Sequence, residues 1–443
     1  MSSLRLPLEL VEEIFGHLLE VTNPRIPSSP SRSALRACAL SCRAFFCPAI
    51  RYLWHNMYPL PLLKLLPGFG LDENGFYDIT DGLDSNDMER FDLYSFMVKT
   101  ILITENSEFQ VRSTVYATLS TTRPRPLPSL TSVTCSVEHF SPRILFMVSP
   151  FLESVTFTRV DSRKLSEYLP LLAKESPMLH SLSILEAYGE SDLSYIAQLP
   201  QLRLLKLTLR EDLGFSTKTG RLADRGPWSL KQLDLRDYFQ PLKDIIGVMG
   251  LYRNSELSSL SLICLEKPRK GWVEIFGILS SQWSHTLTDL TLNIGRVTDI
   301  DATMQTSWLN TFKPLSSLKN LQLFHLSVHG VTWENTSCEM IISDIGSRWP
   351  NLTDLKFLTD SSNNQPTLTS LTSLSSCFPQ LKRASISLDP LSITHNESSS
   401  IPTSNVDHKL ERITLVIRST VDRSASLANH LDRIFPHLKD VSM

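Results

Sequence analysis

Residues 285–294, HTLTDLTLNI, set three leucines at the spacing Leu287-x-x-Leu290-x-Leu292. A strand sends alternate side chains to opposite faces, so Leu290 and Leu292 share a face while the residues between and beside them share the other. The same spacing, with conservative apolar replacements, recurs to the end of the chain. Its copies begin at Val98, Leu130, Leu152, Leu179, Leu202, Leu230, Leu257, Leu287, Leu318, Leu352, Leu381, Leu410 and Leu438. The copy at Leu318 reads Leu318, Leu321, Leu323, and the last one closes on Met443. Starts lie 22 to 34 residues apart, the period of a stacked-repeat architecture.

A proline stands two positions before the first leucine in many copies: Pro128, Pro150, Pro177, Pro200, Pro350, Pro379 and Pro436. Proline has no amide to donate and disfavours helix in the residue before it, so it ends a helix and opens a turn into the next strand. Between copies lie apolar residues at helical spacing, such as Leu165, Tyr168, Leu169 and Leu172, and again Trp272, Ile275, Phe276, Leu279 and Trp283. The fold class predicted is α/β, with one strand and one helix per repeat over residues 97–443. Parallel strands line one face of an irregular solenoid and helices line the other, because a single repeat cannot bury its apolar face alone. The pattern resembles the leucine-rich repeats of F-box proteins, although it lacks the regular Asn or Cys that follows the strand in that consensus.

Residues 1–58 read differently. In LRLPLELVEEIFGHLL (4–19), Leu10, Ile14, Phe15 and Leu18 form one helical stripe after an extended Leu6-Pro7, and residues 34–54 repeat the pattern with Leu35, Cys38, Ala39, Cys42 and Phe45 or Phe46. A Pro- and Ser-rich stretch separates the two. Leu6-Pro7-Leu8-Glu9-Leu10, Ile14-Phe15, Leu18, Leu35, Ser41-Cys42-Arg43 and Phe46 are similar to the F-box motif, with a longer stretch between the halves than the family usually has. The whole layout resembles the fungal-type F-box/leucine-rich-repeat receptors. That resemblance implies a three-helix module binding the small adaptor subunit of an SCF-type cullin–RING ubiquitin ligase, and through it the cullin. Its contact residues would be Leu6, Pro7, Leu8, Leu10, Ile14, Phe15, Leu18, Leu35, Cys42 and Phe46. The same apolar stripes also suit the module's own core.

Composition narrows the rest. A net charge of −3 over 443 residues leaves no global basic field for nucleic acid. No uncharged apolar run is long enough for a membrane, and Glu9, Glu12 and Glu13 interrupt the opening apolar stretch, unlike a signal peptide. Seven scattered cysteines suit a reducing cytoplasm or nucleus. Cys38, Cys42 and Cys47 lack a zinc-ligand spacing and read as buried helical thiols; His325 and His329 read as surface histidines. The acidic stretch within 59–96 carries Asp72, Asn74, Asp78, Asp81 and Asp84 without the fixed spacing of a calcium loop, so it reads as a solvated connector. The Asn-x-Ser/Thr sites at Asn335, Asn351 and Asn396 matter only on the secretory route. No residue set suggests catalysis or a cofactor.

The functional expectation is therefore a non-enzymatic receptor holding an unidentified protein substrate on the outward strand face. Lys206, Asp234, Arg236, Asp289, Asn293, Phe324 and Lys356 are the outward candidates there. A repeat scaffold unconnected to ubiquitin, whose N-terminal helices merely cap the array, is the alternative.

Overall fold

The N-terminal segment folds into three helices, α1 (Leu8–Glu20), α2 (Ser29–Ser41) and α3 (Arg43–His55). The Pro7 carbonyl accepts the amides of Leu10 and Val11 at 3.1 and 3.3 Å and so starts α1. Ser41 Oγ donates to the Cys38 carbonyl, and Cys42 adopts an extended backbone that separates α2 from α3. Val11, Phe15, Leu35, Ala39, Ala49 and Leu53 form the core of this module. Phe45 and Tyr52 set their rings edge-on to Phe15 at 5.9 and 6.3 Å, and Tyr52 Oη donates to the Glu12 carbonyl. This computed structural model describes residues 7–20, 29–80, 82–84, 88–103, 111–136, 146–160, 162–187, 196, 199–209, 229–237, 242–265, 269–295, 308–329, 342–344, 346–359, 366–388, 408–417 and 424–442. They fall into two units, Met1–Leu202 and Arg203–Met443.

The expected solvated connector is folded where it is described. After the short strand β1 (Asn56–Met57) come α4 (Pro59–Leu63), the antiparallel strands β2 (Phe69–Leu71) and β3 (Tyr77–Ile79), and α5 (Glu89–Ser95). Leu60, Leu62, Leu63, Leu66, Met88 and Phe91 are buried. Asp72 and Asp78 make their contacts within the hairpin and to the repeat after it. Asp72 Oδ1 accepts the amides of Asn74 and Phe76, both at 2.8 Å, while Gly75 takes a φ of 79° that a side chain would strain. Arg112 pairs with both Asp72 and Asp78, which ties the hairpin to the repeat that follows.

Each of the thirteen copies contributes a strand, one of them in a shifted frame described below, and each strand pairs in parallel with its neighbours in chain order within its unit. The first unit holds β1, β4 (Thr100–Ile103), β5 (Ser132–Ser136), β6 (Ser154–Thr158) and β7 (Ser181–Ala187) in that order. The second holds β8 (Leu204–Leu209), β9 (Gln232–Asp237), β10 (Ser259–Cys264), β11 (Asp289–Ile294), β12 (Leu323–Val328), β13 (Asp354–Thr359), β14 (Arg383–Ser387), β15 (Arg412–Val416) and β16 (Asp440–Ser442). The register aligns Leu205, Leu233, Leu260 and Leu290, then Leu207, Leu235, Leu262 and Leu292, and all eight are buried. The chain is thus α/β with parallel strands stacked in sequence order, a solenoid-like arrangement inside each unit. In β10–β12 each strand runs one alternation past the triplet, burying Cys264, Ile294 and Val328 as a third inward residue.

The Pro-x-Leu signal has a geometric cause. In all seven copies the leucine amide donates to the carbonyl three residues back, as Leu130 to Leu127 and Leu381 to Phe378. Proline therefore occupies the second position of a hydrogen-bonded turn, where its fixed φ costs nothing and no amide is needed. The same bond corrects one triplet. Leu321 donates to Leu318 across Lys319-Asn320, so this copy is Leu321, Phe324, Leu326 and not Leu318, Leu321, Leu323. Phe324 pairs in register with the inward Leu290 and is only 4% exposed, whereas Leu323 faces outward.

Helices cover the inward face. They are α6 (Ser113–Thr122), α7 (Ser162–Glu175), α8 (Leu242–Leu251), α9 (Arg269–Gln282), α10 (Trp308–Phe312) with a 3-10 turn after it, α11 (Leu368–Cys377) and α12 (Ser424–Ile434). The stripes at Leu165, Tyr168, Leu169 and Leu172 and at Trp272, Ile275, Phe276, Leu279 and Trp283 are all buried as their spacing predicts. Ring N–H groups also bind successive repeats: Trp283 Nε1 donates to the Ser255 carbonyl and Trp349 Nε1 to Leu315, both at 3.1 Å. His408 Nε2 does the same to Phe378 at 2.9 Å. No helix among the described residues is long and apolar enough to cross a membrane.

Leu290→Ala removes a fully buried leucine and is expected to cost about 2–5 kcal/mol in urea unfolding. Thr291→Ala, its outward neighbour, is expected to stay within about 0.5 kcal/mol; equal losses at the two positions would overturn the face assignment.

Candidate functional site

Two surfaces stand out, and the first is on the N-terminal helices. Leu10 (45% exposed) and Ile14 (50%) lie one helical turn apart on α1, Leu40 (86%) on α2 and Phe46 (46%) on α3. Single exposed apolar residues are ordinary, but four on one small module that already has a core are a grouping that needs a cause. Pro7 and Cys42 are exposed as well. Phe15 and Leu35, expected at the docking surface, instead build the core at 3% and 0% exposure. Leu6 lies outside the described residues, as do the side chains of Leu8 and Leu18. Leu40 was not anticipated; it follows the buried Ala39, and the 100° step of a helix turns it away from the core. Of the three thiols expected to be buried, Cys38 is half-buried against the core while Cys42 and Cys47 are exposed, because Leu35, Ala39, Ala49 and Leu53 already fill the helix contact.

The second kind of surface is the outward strand face, which each unit has by itself and whose chemistry is not the same in the two. In the first unit the described outward positions of β5–β7 include Ser132, Thr134, Ser154, Thr156, Thr158, Ser181 and Ser183, hydroxyls without charge. In the second unit charge appears. Lys206 and Asp234 are register partners on β8 and β9, and Arg236 reaches Asp234 Oδ2 at 3.3 Å, so these three predicted residues come together. Asp289 and Asn293 face outward on β11, and Lys356 sits on β13 beside His325. Phe324 drops out, since it packs inward against the Trp349 ring at 4.7 Å.

The outward residues that sequence reasoning missed lie toward the C-terminus. Asp354 is held on both sides: His325 Nε2 donates to Oδ1 at 3.0 Å and Arg383 Nε reaches Oδ2 at 2.8 Å. The hydrogen bond from His325, aided by Arg383, outweighs partial burial and holds the Asp354 carboxyl below the usual carboxylate range. Farther along, Arg412 Nε meets Asp440 Oδ2 at 3.2 Å and Lys439 meets Glu411 at 3.0 Å. All of these except His325 occupy the two residues after the first leucine of a triplet, Thr353-Asp354, Lys382-Arg383, Glu411-Arg412 and Lys439-Asp440. That was a readable signal. His325, a surface histidine in the sequence reading, does lie outward, and what the sequence did not show is its pairing with Asp354.

Among the described residues no group of three or more His, Cys, Asp and Glu side chains is placed to hold a metal ion. Charged groups pair with one another across strands, as His325 and Arg383 with Asp354 and Arg412 with Asp440. The chain matches no known protein family and no curated protein.

Asp354 gives a pH test. Its carboxyl titrates lower in the folded state than the ordinary 3.8, so its stabilisation is complete above that value and is lost as pH falls through the lower folded value. Asp354→Asn is expected to lower the melting temperature at neutral pH, with the gap from wild type closing as pH falls below about 3.8. A constant gap across the acid range would contradict the pairing.

Proposed function

We propose that this chain is the substrate-recognition subunit of an SCF-type cullin–RING ubiquitin ligase, with the N-terminal helices as its F-box and the stacked repeats as its substrate platform. The observation that carries the reading is the division of labour among the N-terminal helices. Val11, Phe15, Leu35, Ala39, Ala49 and Leu53 make a core, and Leu10, Ile14, Leu40 and Phe46 are left facing out. Apolar side chains of this kind are the anchors a docked partner buries. The chain itself performs no ligation. It holds a protein substrate near the ligase's catalytic subunits and raises the effective concentration of that substrate's lysines. The cytoplasm and nucleus are where such ligases act.

The capping scaffold keeps one observation in its favour. Helix α3 runs into β1, the Lys99 amide donates to the His55 carbonyl at 3.0 Å, and the Trp54 and Tyr94 rings meet at 4.4 Å. The helices therefore abut the first repeat as a cap does. Capping, however, gives no reason for Leu10, Ile14, Leu40 and Phe46 to be exposed.

Affinity purification of the full chain is expected to bring down the adaptor and the cullin together. Ile14→Ala with Phe46→Ala is expected to weaken purified adaptor by about tenfold or more while leaving the melting temperature close to wild type. Unchanged adaptor affinity in the folded variant would leave the scaffold as the better reading.

A further inference from the structure

The last repeats carry a charge pattern that the pairings among the described residues leave incomplete. On one register line, Asp354, Arg383, Arg412 and Asp440 stand side by side on β13, β14, β15 and β16. Neighbouring parallel strands lie about 4.8 Å apart, so two guanidinium side chains are rooted next to each other. Like charges placed directly opposite are unfavourable. Each arginine is drawn away from the other: Arg383 through its Nε to Asp354 on one side, Arg412 through its Nε to Asp440 on the other. Both side chains stay well exposed, at 59% and 61%.

Between and above them runs a groove of about 570 Å³. Its charged lining is Lys382, Arg383, Arg412 and Lys439 against Glu411 and Asp440, an excess of cations. Glu411 is engaged by Lys439, and Lys382 acts on the same carboxylate only at longer range, without a salt bridge among the described residues. Two residues further along each strand, Ser385 and Thr414 are register partners on the same outward face, adding hydroxyl donors beside the arginines. The site thus offers two well-exposed guanidinium groups, each held to a carboxylate on the side away from the other, together with the exposed ammonium of Lys382, so that cations outnumber anions along the groove.

We propose that this groove binds an acidic segment of the protein that the repeats recognise, seating a carboxylate between Arg383 and Arg412 with a second one near Lys382. Planar carboxylates match arginine donors in fixed geometry and make charge-assisted hydrogen bonds, which are the stronger kind. A nucleic acid fits less well. Glu411 and Asp440 interrupt the basic surface that a continuous phosphate backbone requires, and the groove lining contains no aromatic side chain for stacking bases. The inference rests on the receptor reading for the role of the peptide, but the groove itself lies wholly within the second unit, apart from the adaptor-docking helices.

Fluorescence anisotropy of labelled octaglutamate with the full chain tests it, with octalysine and oligothymidylate as comparison probes and adaptor binding measured on the same preparations. Saturable octaglutamate binding is expected, with Arg383→Gln/Arg412→Gln weakening it by about tenfold or more. Lys382→Glu, an exposed position with no ion pair to lose, is expected to weaken it similarly and serves if the double variant fails to fold by circular dichroism. Lys174→Gln on α7 is expected to change nothing. Wild-type protein that ignores octaglutamate, variants that bind it undiminished, or oligothymidylate binding as tightly would each overturn the proposal. Loss of peptide binding with adaptor binding intact would sink the groove alone, and the reverse result would sink the receptor reading alone.

Discussion

One backbone carbonyl per repeat governs how the strands of each unit align. The residue just before a strand presents its C=O to two successive amides of the next repeat. Thr131 accepts from Glu153 and Ser154, Lys231 from Ser258 and Ser259, and Thr353 from Lys382 and Arg383. A carbonyl has two lone pairs and a buried amide must find an acceptor, so this double acceptance satisfies the turn and sets the first pair of the ladder together. Once that pair is set, a one-residue slip would reverse every side chain of the strand between core and solvent. The irregular spacing of 22 to 34 residues between copies is tolerated because the extra length falls outside the turn and the strand.

That alignment separates two jobs. Inward positions carry the aliphatic stack and the indole N–H groups that reach the preceding turn, as Trp283 and Trp349 do. Most described outward positions are only partly buried, so their chemistry can change from repeat to repeat. It does change: the described hydroxyls of β5–β7 give way to ion-paired residues on β9 and then to the Asp354, Arg383, Arg412, Asp440 line. Such changes leave the inward stack beneath them unaltered.

The N-terminal helices obey a different constraint. A module of about 50 residues has too little volume to bury all its apolar side chains. Phe15 and Leu35 go inside, where the rings of Phe45 and Tyr52 and the residues of α2 and α3 close over them. Leu10, Ile14, Leu40 and Phe46 remain outside. Both sets share the same apolar character in sequence.

The sequence by itself determined the parallel α/β repeat, its strands, the helix stripes and the place of the prolines. These depend on local periodicity and on the dihedral limits of single residues, which need no partner to be read. It also held the outward pairs after each first leucine, although their charges acquire meaning only when the strands are side by side. Tertiary structure alone decided three matters. It selected Leu321, Phe324 and Leu326 over the overlapping Leu318 triplet, because only the turn bond from Leu321 to Leu318 brings Phe324 into line with Leu290. It converted the acidic stretch into a hairpin, since Arg112, about 40 residues away, pairs with Asp72 and Asp78. It sorted buried from exposed apolar residues on the N-terminal helices, because that choice depends on which helix faces meet in space and not on the composition of any one helix.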